Sequence, residues 1–285
     1  MDYPSIVAFI AVTETSSFSL AAERLHLTQP AVSKRILTLE KQLGVRLFDR
    51  LGRHIVLTEA GRVLLPHAYN LLTLFADSRR ALSNLSGDVS GTLCIATSHH
   101  IGLHRLPSVL RAFVHDYPQV RLDLRFMASE DALDAVTQGD VELAIITLPP
   151  KSDAPLISTP LWRDQLRVAL SPQHPLATRK KITAFMLVEH PAIFPEPDTF
   201  TRDLIDRTFA QIELKPTVTL STNYLETIKM MVSVGLGWSL LPANMIDATL
   251  ASPTLTGLHF ERTLGALRHH GRTLSNAAHA FLGAL

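Results

Sequence analysis

A single cysteine, Cys94, is all this 285-residue chain holds, so no internal disulfide is available to it. Its place inside an apolar strand pattern predicts a buried, inert thiol. The same ground counts against a redox sensor built on a pair of thiols. No uninterrupted apolar run approaches the ~20 residues that a membrane-spanning helix needs, which gives no membrane partner. The opening MDYPSIVAFIAV carries an aspartate where a secretory signal would carry basic residues. These absences together lead us to expect a cytoplasmic protein. Also missing are a glycine-rich nucleotide loop, a nucleophile elbow, an HExxH pair and paired catalytic carboxylates, which counts against an enzyme and leaves no cofactor to expect. Hydrophobic residues at 46% permit real cores, and 285 residues accommodate more than one domain.

What is present is most legible between Ser17 and Gly44. Phe18, Ala21, Ala22 and Leu25 fall at i, i+3, i+4 and i+7, the spacing that lines one face of a helix. Thr28 then offers an N-cap, with Gln29 and Pro30 in the first turn of a second helix, where proline's missing N–H would lack a partner anyway. Val32, Ile36, Leu39 and Leu43 form its apolar face, leaving Lys34 and Lys41 at the centre of the opposite one. Two short helices joined by a tight turn outline a helix-turn-helix, and Gln29, Ser33 and Lys34 carry donors and acceptors suited to base edges in a major groove. An ordinary helical hairpin with a solvated outer face has the same spacing.

The following segment, VRLFDRLGRHIVLT, alternates around a turn in which Gly52 can take a positive φ, so a two-stranded ribbon with Arg50 and Arg53 at its tip is predicted. From residue 24 to residue 53 seven cations, Arg35 among them, stand against two anions, a net +5, although the whole chain carries only +1. Positive charge is thus concentrated where a phosphate backbone would need it.

With those residues in place, the run AAERLHLTQPAVSKRILTLEKQLGVRLFDR followed by LTEAG resembles the N-terminal domain of LysR-type transcriptional regulators. The resemblance implies a winged helix-turn-helix over residues 1–58, with Gln29, Pro30, Ser33, Lys34 and Arg35 at double-stranded DNA and the wing arginines Arg50 and Arg53 near the flanking backbone. Lys34 stands where this family often has arginine, and lysine lacks the rigid two-pronged fork that arginine offers guanine. The resemblance further implies a linker helix over 59–87 that dimerises the chain, assembly as a homodimer or homotetramer, and RNA polymerase as a partner. Leu64, Ala68, Leu71, Phe75, Ser78, Leu82 and Leu85 repeat along that helix at the spacing of a helix-pairing stripe, and Pro66 predicts a bend.

After the turn-forming Ser86 to Gly91, short apolar strands alternate with amphipathic helices, which predicts α/β units with a mainly parallel sheet. The resemblance implies a two-lobed, periplasmic-binding-protein-like α/β effector domain over 91–285, with lobe I at 91–161 and 265–285 and lobe II at 162–264. Strand ends and helix starts offer anion-binding N–H groups. On that rule the expected effector contacts are Thr97, Ser98, His99, His100, Ser129 and Thr147 from one lobe, and Thr199, Thr201, Thr222 and Asn223 from the other. For any one of them alone, N-capping is the plainer role. Hydroxyls, amides and imidazoles without a dense carboxylate cluster predict a small polar or anionic effector.

Thirteen histidines are many. His100 and His104 are four apart on a predicted helix, a spacing that can serve one metal, but no nearby cysteine or carboxylate completes a set, and Glu130 and Asp131 would have to arrive from another element, so no metal is expected. A solute-binding protein would share the two lobes, yet the fused N-terminal reader and the missing export signal argue against it.

Overall fold

The structure is a computed structural model, and it describes residues 1–51, 54–151 and 155–285, with the side chains of Arg50, Leu51 and His54 outside the description. The chain divides into two compact units, Met1–Ser86 and Gly87–Leu285.

The first unit holds helices α1 (Tyr3–Thr15), α2 (Phe18–Arg24) and α3 (Gln29–Leu43), the strands β1 (Phe48–Leu51) and β2 (His54–Leu57), and the long helix α4 (Glu59–Asn84). The helix α1 was not foreseen, because its middle, Ile6 to Val12, is seven apolar residues in a row and shows no helical period. Asp2 caps it by accepting from the Ser5 N–H at 2.9 Å, and Ile6, Phe9, Ile10 and Val12 enter the core with Ala21, Ala22, Val32, Ile36 and Leu39. Leu43, expected on that apolar face, is exposed instead, since the helix ends at once on Gly44 with φ at 71°. Strands β1 and β2 pair antiparallel, Phe48 opposite Leu57. Glu40 anchors the entry to this ribbon by accepting from the N–H groups of Leu47 at 2.7 Å and Phe48 at 3.4 Å.

Thr58 caps α4 through the Gly61 N–H at 3.0 Å while its own hydroxyl donates to the Arg46 carbonyl at 2.7 Å. The close approach makes glycine necessary at 61, where a Cβ would lie 2.3 Å from the Leu47 carbonyl oxygen. The helix α4 runs unbroken through Pro66, which is flanked by Leu64, Leu65 and Ala68 packed on the core. Its later stripe is different: Leu74, Phe75, Leu82 and Leu85 are exposed, Leu85 to 82%.

The second unit contains β3 (Gly91–Thr97), α5 (His99–His104), α6 (Leu106–Asp116), β4 (Val120–Phe126), α7 (Ser129–Gln138), β5 (Leu143–Thr147), β6 (Leu156–Ala169), β7 (Lys181–Thr183), α8 (Ala184–Val188), β8 (Ala192–Phe194), α9 (Phe200–Ala210), β9 (Val218–Ser221), α10 (Leu225–Ser233), β10 (Ser239–Pro242), β11 (Thr254–Thr256), β12 (Phe260–His269) and α11 (Asn276–Gly283). Among the described residues the largest sheet has the order β10-β6-β12-β5-β3-β4. It is mixed rather than mainly parallel: β3 pairs parallel with β4 and β5, whereas β12 runs antiparallel to both β5 and β6, and β10 antiparallel to β6. The alternation of strands and helices does not reveal that two long strands run back through the sheet. One of these, β6, is 14 residues long, from Leu156 to Ala169.

Two groups of apolar clusters lie along these long strands. Leu93, Ile95, Phe113, Ile145, Leu264 and Phe281 fill the first lobe, where α11 returns to cover it. Leu166, Val168, Phe194, Phe209, Trp238 and Phe260 fill the second. Cys94 is half-buried, not fully buried, because its thiol turns toward Asp123 and donates to Oδ2 at 3.2 Å. Burial, reinforced by that carboxylate, pushes the thiol up to about 12 from its ordinary 9.0.

Candidate functional site

In the first unit, burial of Val32, Ile36 and Leu39 turns the opposite face of α3 to solvent. Gln29, Pro30 and Lys34 are exposed, and Ser33 and Arg35 are half-exposed. The Gln29 Nε2 donates to Ser33 Oγ at 2.9 Å, so these two polar groups share one ridge at i and i+4. Thr28 occupies the N-cap in an extended conformation but makes no side-chain capping bond. Among the described residues Lys34, Lys41 and Arg46 face solvent without an ion pair, while Arg24 pairs with Glu14. Arg53 and the Arg50 side chain lie outside the described residues.

In the second unit a cavity of about 470 Å³ opens between the lobes. Of the ten expected effector residues, Ser98, His99, His100, Ser129, Thr147, Thr199, Thr201, Thr222 and Asn223 line it. Thr97 does not, because its buried hydroxyl donates to the Ile145 carbonyl at 2.8 Å inside the sheet. Several of the hydroxyls do work other than capping. Ala128, not Ser129, is the N-cap of α7, and Ser129 Oγ accepts from the Thr147 N–H at 3.1 Å. The N-cap of α10 is Tyr224, whereas Asn223 Oδ1 accepts from the Glu196 N–H at 3.0 Å and Thr222 Oγ1 from the Tyr224 N–H at 3.4 Å. Thr199 does cap its helix, accepting from the Arg202 N–H at 3.2 Å. Ser98 sits at the N-cap of α5 with no side-chain capping bond.

Sequence reading missed the charged part of this wall. Arg262, on β12, is held by Asp164 Oδ2 at 2.8 Å and donates to Thr201 Oγ1 at 2.7 Å, with Asp164 only 2% exposed. Arg105 adds a second contact to Asp164 at 3.6 Å. An arginine between apolar Phe260 and Leu264 in a strand was the available signal. Carboxylates are also present, contrary to expectation: Glu130, Asp131 and Glu196 line the cavity. The Glu130 Oε1 accepts from the Phe200 N–H at 2.6 Å, so one lobe's carboxylate sits at the N-terminus of the other lobe's helix α9. Aromatic rings complete the wall, with His99 centred 5.2 Å from Phe126 and 4.8 Å from Tyr224.

In the first turn of α5, His100 is 3% exposed, and neither ring nitrogen has a hydrogen-bond partner among the described residues. Burial first, then the neighbouring charges of Arg262, His104 and Arg105, hold it down to about 3 from the ordinary 6.5, so it is a neutral imidazole. The expectation that no carboxylate approaches the His100–His104 pair is corrected by Glu226 of α10, whose Oε1 lies 3.1 Å from His104 Nε2.

Two family models match this chain: the LysR substrate binding domain over residues 86–285, and the bacterial regulatory helix-turn-helix protein of the lysR family over residues 5–62. The chain belongs to the LysR family. It is accordingly a DNA-binding transcriptional regulator with an effector-binding domain, and not an enzyme. The uncharacterised HTH-type transcriptional regulator YeiE of Escherichia coli is 34% identical over 279 residues, covering 96% of this chain and 93% of the relative. An HTH-type regulator from the ibpB-leuC intergenic region of Azotobacter vinelandii is 73% identical over 107 residues, covering 38% of this chain and 74% of that protein. Among solved structures, full-length OxyR from Pseudomonas aeruginosa aligns over 100% of this LysR-family chain and 94% of its own, with a TM-score of 0.74 at 22% identity. Full-length CbnR in complex with its target DNA aligns over 100% and 98%, with a TM-score of 0.68 at 21% identity. Among the described residues no single helix is long and apolar enough to cross a membrane.

Proposed function

We propose that this LysR-family regulator is controlled by a small polar or anionic effector bound in the interlobe cavity. The observation that carries this reading is convergence: nine hydroxyl, amide and imidazole residues chosen from strand ends and helix starts line one space of about 470 Å³, within the size range of small-molecule sites. Arg262, paired with Asp164 and with its side chain 8% exposed, presents guanidinium N–H donors at the wall, which favours an oxygen acceptor there. In this reading residues 91–161 and 265–285 form one jaw and 162–264 the other.

DNA is read by residues 1–58, with Gln29, Pro30, Ser33, Lys34 and Arg35 in the major groove and Arg50 and Arg53 at the wing. The linker over 59–87 pairs two chains through the exposed Leu74, Phe75, Leu82 and Leu85, giving a homodimer or a homotetramer that acts in the cytoplasm with RNA polymerase. Effector binding then shifts the population between two arrangements of the assembly, to the extent that its affinity for them differs.

Thermal-shift titration with sulfate, phosphate esters, carboxylates and amino acids tests the effector class. A ligand at about 100 times its Kd stabilises by about 2.7 kcal/mol, and Ser98→Trp abolishes that shift while a promoter gel shift persists. Stabilisation only by cations or by large apolar compounds overturns the reading.

A further inference from the structure

The unpartnered imidazole of His100 has two neighbours that the cavity does not use. His104, one turn along α5, stacks with its ring centroid 4.8 Å away, and its Nε2 contacts Glu226 of α10 at 3.1 Å. One nitrogen from each imidazole and one Glu226 oxygen all lie within 4.8 Å of one another. A buried imidazole with both nitrogens unsatisfied is unusual in folded proteins, where buried polar atoms find partners.

We propose that His100, His104 and Glu226 form a site for a borderline divalent transition-metal ion, Zn²⁺ being the best fit, which ties the first lobe to the second. Two imidazole nitrogens and one carboxylate oxygen are a donor set that suits Zn²⁺ and its neighbours, whereas Mg²⁺ and Ca²⁺ require oxygen throughout. Around a tetrahedral ion with bonds of about 2.0–2.2 Å, donor atoms are spaced by roughly 3.3 Å. The His104–Glu226 pair at 3.1 Å is already at that spacing, and a His100 ring nitrogen lies within 4.8 Å of both. Of the cations facing His100, Arg262 and Arg105 are both engaged by Asp164, at 2.8 Å and 3.6 Å, which offsets their repulsion of a bound ion.

The consequence follows from the placement of the donors. Helix α5 belongs to the first lobe and α10 to the second, so a bound ion holds the lobes together beside the effector cavity that His100 also lines. Three protein donors leave one coordination position open. Ion and effector affinities are then linked reciprocally. This site goes beyond the effector reading and does not depend on which anion the cavity takes.

The test uses full-length protein stripped with a chelator and titrated with ZnCl₂ against a chromophoric chelator, then with Co²⁺ to read the visible absorption of a four-coordinate ion. One ion per chain is expected, with at least tenfold weaker binding and loss of the Co²⁺ band in His104→Gln and Glu226→Gln. Both positions are partly exposed, so these variants fold where a change at buried His100 could fail, and circular dichroism verifies it. His190→Gln, in the separate His174–His190 pair with rings 4.5 Å apart, leaves binding unchanged. Absence of stoichiometric binding, full binding in Glu226→Gln, or loss in His190→Gln overturns the proposal. A DNA gel shift on the same wild-type sample reports on the regulator reading separately.

Discussion

In residues 1–86 the polar groups turned outward on α3 lie between Gln29 and Arg35, within two turns of one helix. The cavity of residues 87–285 instead draws its wall from segments as far apart as Ser98 and Arg262. A contiguous face can lose one side chain while the helix that presents it stays intact, because the buried Val32, Ile36 and Leu39 hold it from behind. The dispersed wall is held by its own members: Arg262 fixes Asp164 and Thr201, Asn223 fixes Glu196, and Ser129 fixes Thr147. The proposed binding groups are separate from the structural groups in the first unit and largely the same as them in the second.

That contrast can be broken most forcefully at Arg262. Arg262→Met leaves Asp164 buried, with Arg105 its remaining partner at 3.6 Å, and is expected to cost about 3–5 kcal/mol. Differential scanning calorimetry on the full chain should show the transition of residues 87–285 falling while that of residues 1–86 stays, and equal displacement of both would refute the separation. Next in size, Gly61→Ala drives a methyl against the Leu47 carbonyl and is expected to destabilise the first unit alone by about 1–3 kcal/mol, read by urea unfolding.

Lys34→Ala sharpens the comparison from the other side. It should weaken DNA binding by about 1–3 kcal/mol in fluorescence anisotropy, with both unfolding transitions unmoved, whereas a drop in either would mean that α3 mixes the two roles after all. The smallest effect concerns Cys94. With its thiol near 12 rather than 9.0, the thiolate fraction is small at neutral pH and rises about tenfold per pH unit up to about pH 11. Iodoacetamide labelling should follow that slope, and a plateau near pH 9 would show an ordinary, accessible thiol.

The same contrast governs what could be read from the sequence. The helix from Gln29 was legible because its cap, its proline and its apolar period occupy one short stretch. Hydroxyls at strand ends were legible through a general rule of α/β architecture, which Thr97 escaped because its side chain turns into the sheet. Arg262 and Glu226 were not legible: the first meets Asp164 across 98 residues of chain and the second meets His104 across 122. No local pattern encodes such pairings. The helix α1 was invisible for the opposite reason, being so thoroughly covered that its sequence has no polar side to set a period.

The two long strands β6 and β12 stay hydrogen-bonded from Phe260–Leu166 to His269–Leu156, with one irregularity at Leu264/Gly265. Since both halves of the effector domain are stitched to this single ribbon, neither can swivel on a slack tether. Relative movement of the two halves therefore has to bend or twist a paired pleat, and the register shift at Leu264/Gly265 marks where its ladder is already interrupted.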